Sequence, residues 1–195
     1  MAEVVIPTIY ESSATFGLIR ADVETELLTG ASVFTEFTKA AWTYQSQLTI
    51  MTEADGRAWA AALLQLSRFS NYFRAGPPSY AGGAYTATTL QVDGAGQLGT
   101  SLDIKNGNSL TTVIQSGEYF EVNGELKMAV GVCVTDSSGL GTVLFEPPLR
   151  ASPANSASIN LATPKASFRL VAPQSQWKIQ VGKFYIITLE AVELL

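Results

Sequence analysis

Between Ser116 and Arg150 the chain reads SGEYFEVNGELKMAVGVCVTDSSGLGTVLFEPPLR: three short apolar-alternating runs, separated by turn signals, with no residue set able to do chemistry. Asn123-Gly124 follows Tyr119 to Val122, and this dipeptide tolerates positive φ at both central positions of a type I′ hairpin turn. A second run, Leu126 to Val134, ends in the loop cluster Asp136-Ser137-Ser138-Gly139, and a third starts at Thr142 and reaches Phe145. Pro147-Pro148 should stop it there, because proline has no N–H to donate to a ladder. Such a stretch commits its part of the chain to antiparallel β structure.

The flanking sequence follows the same habit, with one exception. Leu18 to Leu27 alternates as a half-buried strand, and Trp42 to Met51 does so more clearly, with Trp42, Tyr44, Leu48 and Ile50 on one face. Between them Leu28 to Ala40 reads as an irregular connection with a turn at Thr29-Gly30. The exception is Thr52 to Arg68. There Trp59, Leu63 and Leu66 recur at helical spacing, Ala60 and Leu64 broaden the stripe, and the alanine-rich centre favours a helix. Thr52 and Asp55 fit a loose capping box at its start.

Ala75-Gly76-Pro77-Pro78 and Ala81-Gly82-Gly83 then punctuate the chain, and from Tyr85 to Pro164 only strands and turns are expected. Turns at Asp93-Gly94-Ala95-Gly96, Lys105-Asn106-Gly107-Asn108 and Ser152-Pro153-Ala154-Asn155 have the spacing of a small barrel or sandwich. Three more strands follow, at Phe168 to Val171, Trp177 to Val181 and Phe184 to Glu190. The N-terminal strands are too few to bury a sheet by themselves, so the terminal strands should complete it. The expected organisation is a discontinuous domain, 1–80 plus 165–195, carrying an inserted β-barrel domain at 84–164. The fold class is mainly β, with one flanking helix.

Composition narrows the function. Only 15% of the 195 residues are charged, which leaves little of the Lys and Glu that a free monomer wears, and this points to a surface hidden in a permanent assembly. The net charge of −5 and scattered basic residues argue against a surface that grips nucleic acid, although an acidic wall would let DNA slide past. The first residues, MAEVVIPTIYESS, lack the basic and apolar segments of a signal peptide, and no apolar run reaches the length of a membrane span, so a soluble protein made in the cytosol is expected.

No catalytic constellation, metal set or cofactor motif emerges. There is no histidine, and the single cysteine, Cys133, sits in an apolar run as a small buried residue. Gly94-Ala-Gly96-Gln-Leu-Gly99 has the spacing of a dinucleotide fingerprint, but strand rather than helix follows it, so it reads as a hairpin turn. Glu118 and Glu121 stand beside a hairpin as solvated carboxylates, and Glu53 and Asp55 fit the first turn of the helix. The Ser12-Ser13 and Ser137-Ser138 pairs have no basic partner at motif spacing. The aromatics Trp42, Tyr44, Trp59, Tyr72, Phe73, Trp177 and Tyr185 belong to apolar faces. Phe34 and Phe37 differ, because they lie in a long connection: exposed aromatics there mark a protein contact, and a loop tucked over its own core is the other reading.

The order of motifs resembles a group of bacteriophage minor tail proteins, the distal tail proteins of long-tailed phages and related gene transfer particles. The matching segments are Ser32-Val-Phe-Thr35, the Trp-centred strand Ala41 to Ile50, and Asp55-Gly-Arg-Ala-Trp59-Ala-Ala-Ala-Leu-Leu64. They continue with Ser67-Arg-Phe-Ser-Asn-Tyr-Phe73, Val92-Asp-Gly-Ala-Gly-Gln97 and Ser116-Gly-Glu-Tyr-Phe120, then Phe145-Glu-Pro-Pro-Leu-Arg150, Phe168-Arg-Leu170 and the strand of Trp177. The resemblance implies a tail-tube-like β-sandwich, with an outward inserted module, that closes into a homohexameric ring at the distal end of a virion tail. Its expected partners are other copies of itself, the tail tube protein and the tail hub or other minor tail proteins, with DNA only in transit and no membrane. No cofactor or enzymatic activity is expected. On this reading Val33, Phe34, Phe37 and Trp42 are the candidate oligomer-interface residues. The alternative from another class is a carbohydrate-binding module, with the 84–164 barrel as the binder.

Overall fold

The computed structural model is mainly β, as the alternating runs require. It describes residues 1–7, 11–20, 23–26, 32–35, 40–68, 70–86, 89–172, 176–182 and 184–195, with backbone only for residues 11, 12, 23–25, 32–35 and 49–51. In chain order the elements are β1 (Ala2–Glu3), β2 (Glu11–Arg20), β3 (Val23–Glu26), β4 (Ser32–Thr35), β5 (Ala40–Met51), α1 (Glu53–Leu66) and β6 (Asn71–Ala75). There follow β7 (Gln91–Val92), β8 (Gly99–Lys105), β9 (Thr112–Ile114), β10 (Tyr119–Val122), β11 (Glu125–Ala129) and β12 (Cys133–Val134). The last are β13 (Gly141–Leu149), β14 (Ile159–Asn160), β15 (Ala166–Leu170), β16 (Trp177–Gln180) and β17 (Phe184–Glu193).

Two compact units form, the first from Met1–Ile19, Ala41–Ser79 and Ala166–Leu195, the second from Arg20–Ala40 and Tyr80–Lys165. The Arg20–Ala40 segment, expected with residues 1–80, thus falls in the second unit.

In the first unit a seven-stranded sheet runs β1-β6-β15-β17-β5-β2, with β16 also paired to β17. The C-terminal strands are therefore the centre of the sheet, and β17 pairs along almost its whole length with β5, from Tyr185↔Met51 to Val192↔Thr43. Alternation sorts the two faces. Ile187, Leu189 and Ala191 of β17 and Trp42, Tyr44 and Leu48 of β5 are buried, whereas Gln45, Gln47, Thr188 and Glu190 point the other way and are exposed. Phe168 is the hub of an aromatic cluster, 5.7 Å from Tyr44, 5.8 Å from Phe73 and 6.3 Å from Phe16 between ring centroids.

The helix covers the apolar face. The Thr52 hydroxyl accepts the Asp55 backbone N–H at 3.3 Å and donates to the Asp55 carboxylate at 2.7 Å, which fixes the helix start. Trp59, Ala60, Leu63 and Leu66 are buried, while Leu64, assigned to the same stripe by periodicity, is exposed.

In the second unit the sheet order β14-β10-β11-β13-β8-β7 is nearly closed on itself, because Gln91 of β7 bridges to Ser158 beside β14. Asn123 and Gly124 form the two-residue hairpin between β10 and β11, with φ of 53° and 76° and Val122 paired to Glu125. The interior is a single cluster that includes Leu102, Ile104, Phe120, Val143 and Phe145, with the two Phe rings edge to face at 5.5 Å.

Two local expectations are corrected. β13 does not stop at Pro147-Pro148 but runs through both to Leu149. Its ladder with β8 shifts register between Leu144 and Leu149, so the prolines stand where no ladder N–H is demanded. The irregular connection after Leu28 contains β4, which pairs with β3 from Val23↔Thr35 to Glu26↔Ser32, and the turn expected at Thr29-Gly30 lies outside the described residues.

Candidate functional site

The four residues assigned to an oligomer interface have different fates. Val33 and Phe34 belong to β4, where only the backbone is described, and Phe37 lies outside the described residues. Trp42 belongs to the core of its own unit: it is 4% exposed, its ring stacks on Phe16 at 5.0 Å, and its backbone N–H donates to the Glu193 carboxylate at 3.1 Å. A strand position on the apolar face of the sheet buries it within its own unit.

What the first unit does present is an edge. β2 ends the sheet, and among the described residues no strand pairs with its outer side. It is ten residues long, and its sequence ESSATFGLIR contains neither Lys nor Pro, the residues that usually blunt an edge. Phe16 anchors one face of the strand against Trp42, the Thr43 hydroxyl donates to the Gly17 carbonyl at 3.2 Å, and Ile19 on the opposite face is 59% exposed. Reading from the residues missed Glu11 to Gly17 because Ser, Ala and Thr carry little apolar alternation. The available signal was a stretch from Ser12 to Ile19 with neither a charge nor a proline to blunt it.

The sheet face away from α1 is polar. By register it carries Gln45, Gln47, Thr188 and Glu190, together with Arg169 opposite Val192 and Lys178 opposite Ile186. This face is therefore mixed in charge and not uniformly acidic.

A fork opens in the same sheet. β15 pairs with β17 at residues 191–193 and β16 pairs with it at 184–187, and since β5 occupies the other side, both lie along one edge of β17. Residues 188–190 face no strand on that edge among the described residues, and the Val171 N–H donates to the Glu190 carbonyl at 3.0 Å. The result is a hollow of about 550 Å³. Leu63, Leu170 and Trp177, the last paired with the buried Ile187, line it from the helix side, and Gln47, Lys178, Thr188 and Glu190 from the polar face.

In the second unit the titratable groups hold structure together. The Lys127 ammonium is fully buried, 2.7 Å from the Glu125 carboxylate and 2.8 Å from the Pro148 carbonyl. Glu125 also accepts the backbone N–H groups of Arg150 and Ala151. Glu118 accepts from the N–H groups of Ala84 and Gln115, and Glu121 from that of Lys165, so these carboxylates cap backbone donors and are not simply solvated. Arg20 reaches the Glu146 carboxylate at 3.0 Å. Gly94 and Gly96 have positive φ in the turn before β8, and the glycine-rich segment connects two antiparallel strands. Burial pushes the Cys133 thiol above its ordinary pKa, which disfavours the reactive thiolate. No group of His, Cys, Asp or Glu that could hold a metal occurs among the described residues.

No protein-family model matches the chain, and no curated protein matches it.

Proposed function

We propose that the protein is a structural subunit of a phage tail that assembles into a six-fold ring at the distal end, between the tail tube protein and the hub, with a lumen for DNA. The observation that carries this reading is the ten-residue edge of β2, whose outer side no strand pairs among the described residues, in a chain with only 15% charged residues. An open edge leaves a row of backbone donors and acceptors unpaired, and a closed ring of identical copies pairs that row in every copy. The resemblance of its motif order to that of distal tail proteins points to the kind of ring. The polar face of the sheet, held in water by Gln45, Gln47 and Thr188, is suited to an aqueous passage. Because Arg169 and Lys178 share this face with Glu190, a lumen lined by it would be mixed in charge, and DNA would slip through for want of a continuous basic track, not through acidic repulsion.

Size-exclusion chromatography with light scattering tests the reading. A ring former gives a species six times the 20.8 kDa protomer, seen as a closed ring by negative stain. A strict monomer across the micromolar range, or tight duplex-DNA binding at physiological salt, would count against it.

A further inference from the structure

We infer that the fork between β15 and β16 is a saccharide-binding site, placed in the first unit and separate from the barrel. The hollow measures about 550 Å³, within the range of roughly 300–1,000 Å³ typical of small-ligand sites. Its wall carries the one tryptophan that the core does not absorb. Trp42 and Trp59 are 4% and 1% exposed, whereas Trp177 is only half-buried. An indole face beside a hollow offers a flat apolar surface to the C–H face of a sugar ring.

The polar lining has the matching character. A sugar hydroxyl both donates and accepts, and so needs both kinds of group around it. Lys178 and the amide of Gln47 donate, Glu190 accepts, and the Thr188 hydroxyl does either. A phosphate or other anion would meet Glu190 as well as Lys178, which removes most of the attraction. A peptide adding as a strand to the open edge of β17 would need the Glu190 carbonyl, and the Val171 N–H already holds it. The inference does not depend on ring formation, because every residue invoked belongs to one protomer's first unit.

Tryptophan emission makes the test specific, because all three tryptophans lie in the first unit and the second contains none. The full chain is titrated with cellotetraose, chitotetraose and maltotetraose while emission and calorimetric heat are recorded. Saturable quenching or a blue shift with at least one probe is expected. Thr188→Arg, which fills the hollow from an exposed position, should weaken that binding at least tenfold with the melting temperature unchanged. Trp177→Leu should abolish the optical signal. No saturable change with any of the three probes overturns the inference. So does heat without an emission change, which places the sugar on the barrel, and so does full affinity in Thr188→Arg. Hexamer formation is read separately, so the ring can fail while this site stands.

Discussion

Gly56 lies against the ring of Tyr185, so close that a Cβ at position 56 would come within 2.2 Å of the Tyr185 Cγ and 2.8 Å of its Cβ. Tyr185 is a near-buried residue of β17, and contact with its Cβ and Cγ leaves the side chain no rotation that clears the space. The helix therefore approaches the sheet at this point because one residue has no side chain. On an exposed helix Gly→Ala would gain about 1 kcal/mol from propensity, so the sign of the effect decides. Gly56→Ala is expected to destabilise the first unit by about 1–3 kcal/mol, the ordinary cost of overpacking. Urea unfolding followed by tryptophan emission, which reports that unit alone, measures it.

Much of this contact's setting was legible in the sequence, while the contact itself was not. The period of Trp59, Leu63 and Leu66 gives the helix, and the alternation from Trp42 gives β5, because burial on one face imprints its repeat on the chain. Asn123-Gly124 gives its hairpin because few dipeptides accept positive φ twice. Which glycine is a spacer and which a turn depends on what packs above it, and residue 185 is remote in sequence from 56. Pro147-Pro148 misled for a related reason, since a register shift against β8 removes the demand that would forbid proline there. The fork is less legible still. It exists because two strands share one edge of β17, and pairing of that kind is a property of topology that leaves no periodicity in either strand.

Lys127 and Glu125 should show how unequal two ion pairs are. Lys127 has a side chain 1% exposed and replaces its lost hydration with the Glu125 carboxylate and the Pro148 carbonyl. Lys127→Met strands a buried carboxylate with Arg150 at 3.7 Å as its remaining cation, and a loss of about 3 kcal/mol is expected. Arg57→Met breaks the exposed pair with Glu53 one turn away on α1, and should cost only about 0.3–0.5 kcal/mol. Denaturation followed by circular dichroism compares the two.

Cys133 gives a pH dependence with a defined sign. Burial raises the thiol pKa in the folded protein, so the folded state holds the proton more tightly than the unfolded chain does. The associated stability is complete below the unfolded thiol value of about 8.5 and is lost as pH rises above it. Tyr80 and Tyr119, also raised chiefly by burial, act in the same direction at higher pH. The melting temperature should therefore decline above about pH 8.5, and Cys133→Ala should flatten the first part of that decline. A thiol reagent added at pH 8 should label the native protein slowly and the urea-unfolded protein at once.

Ile19 offers the most direct test of the open edge. It stands near the end of β2, 59% exposed on the polar face of the sheet, and its removal disturbs no core contact. A lysine there places a charge beside the unpaired backbone, the device by which edge strands are ordinarily protected from association. A neighbouring copy adding its strand to β2 would have to desolvate the ammonium, which costs more than the few backbone bonds gained at that end. Ile19→Lys should consequently shift the light-scattering mass from the assembled species to the protomer, with the tryptophan-monitored urea midpoint within experimental error of the parent. An assembly unchanged in mass would show that copies do not meet along β2, and the ring would then need another seam.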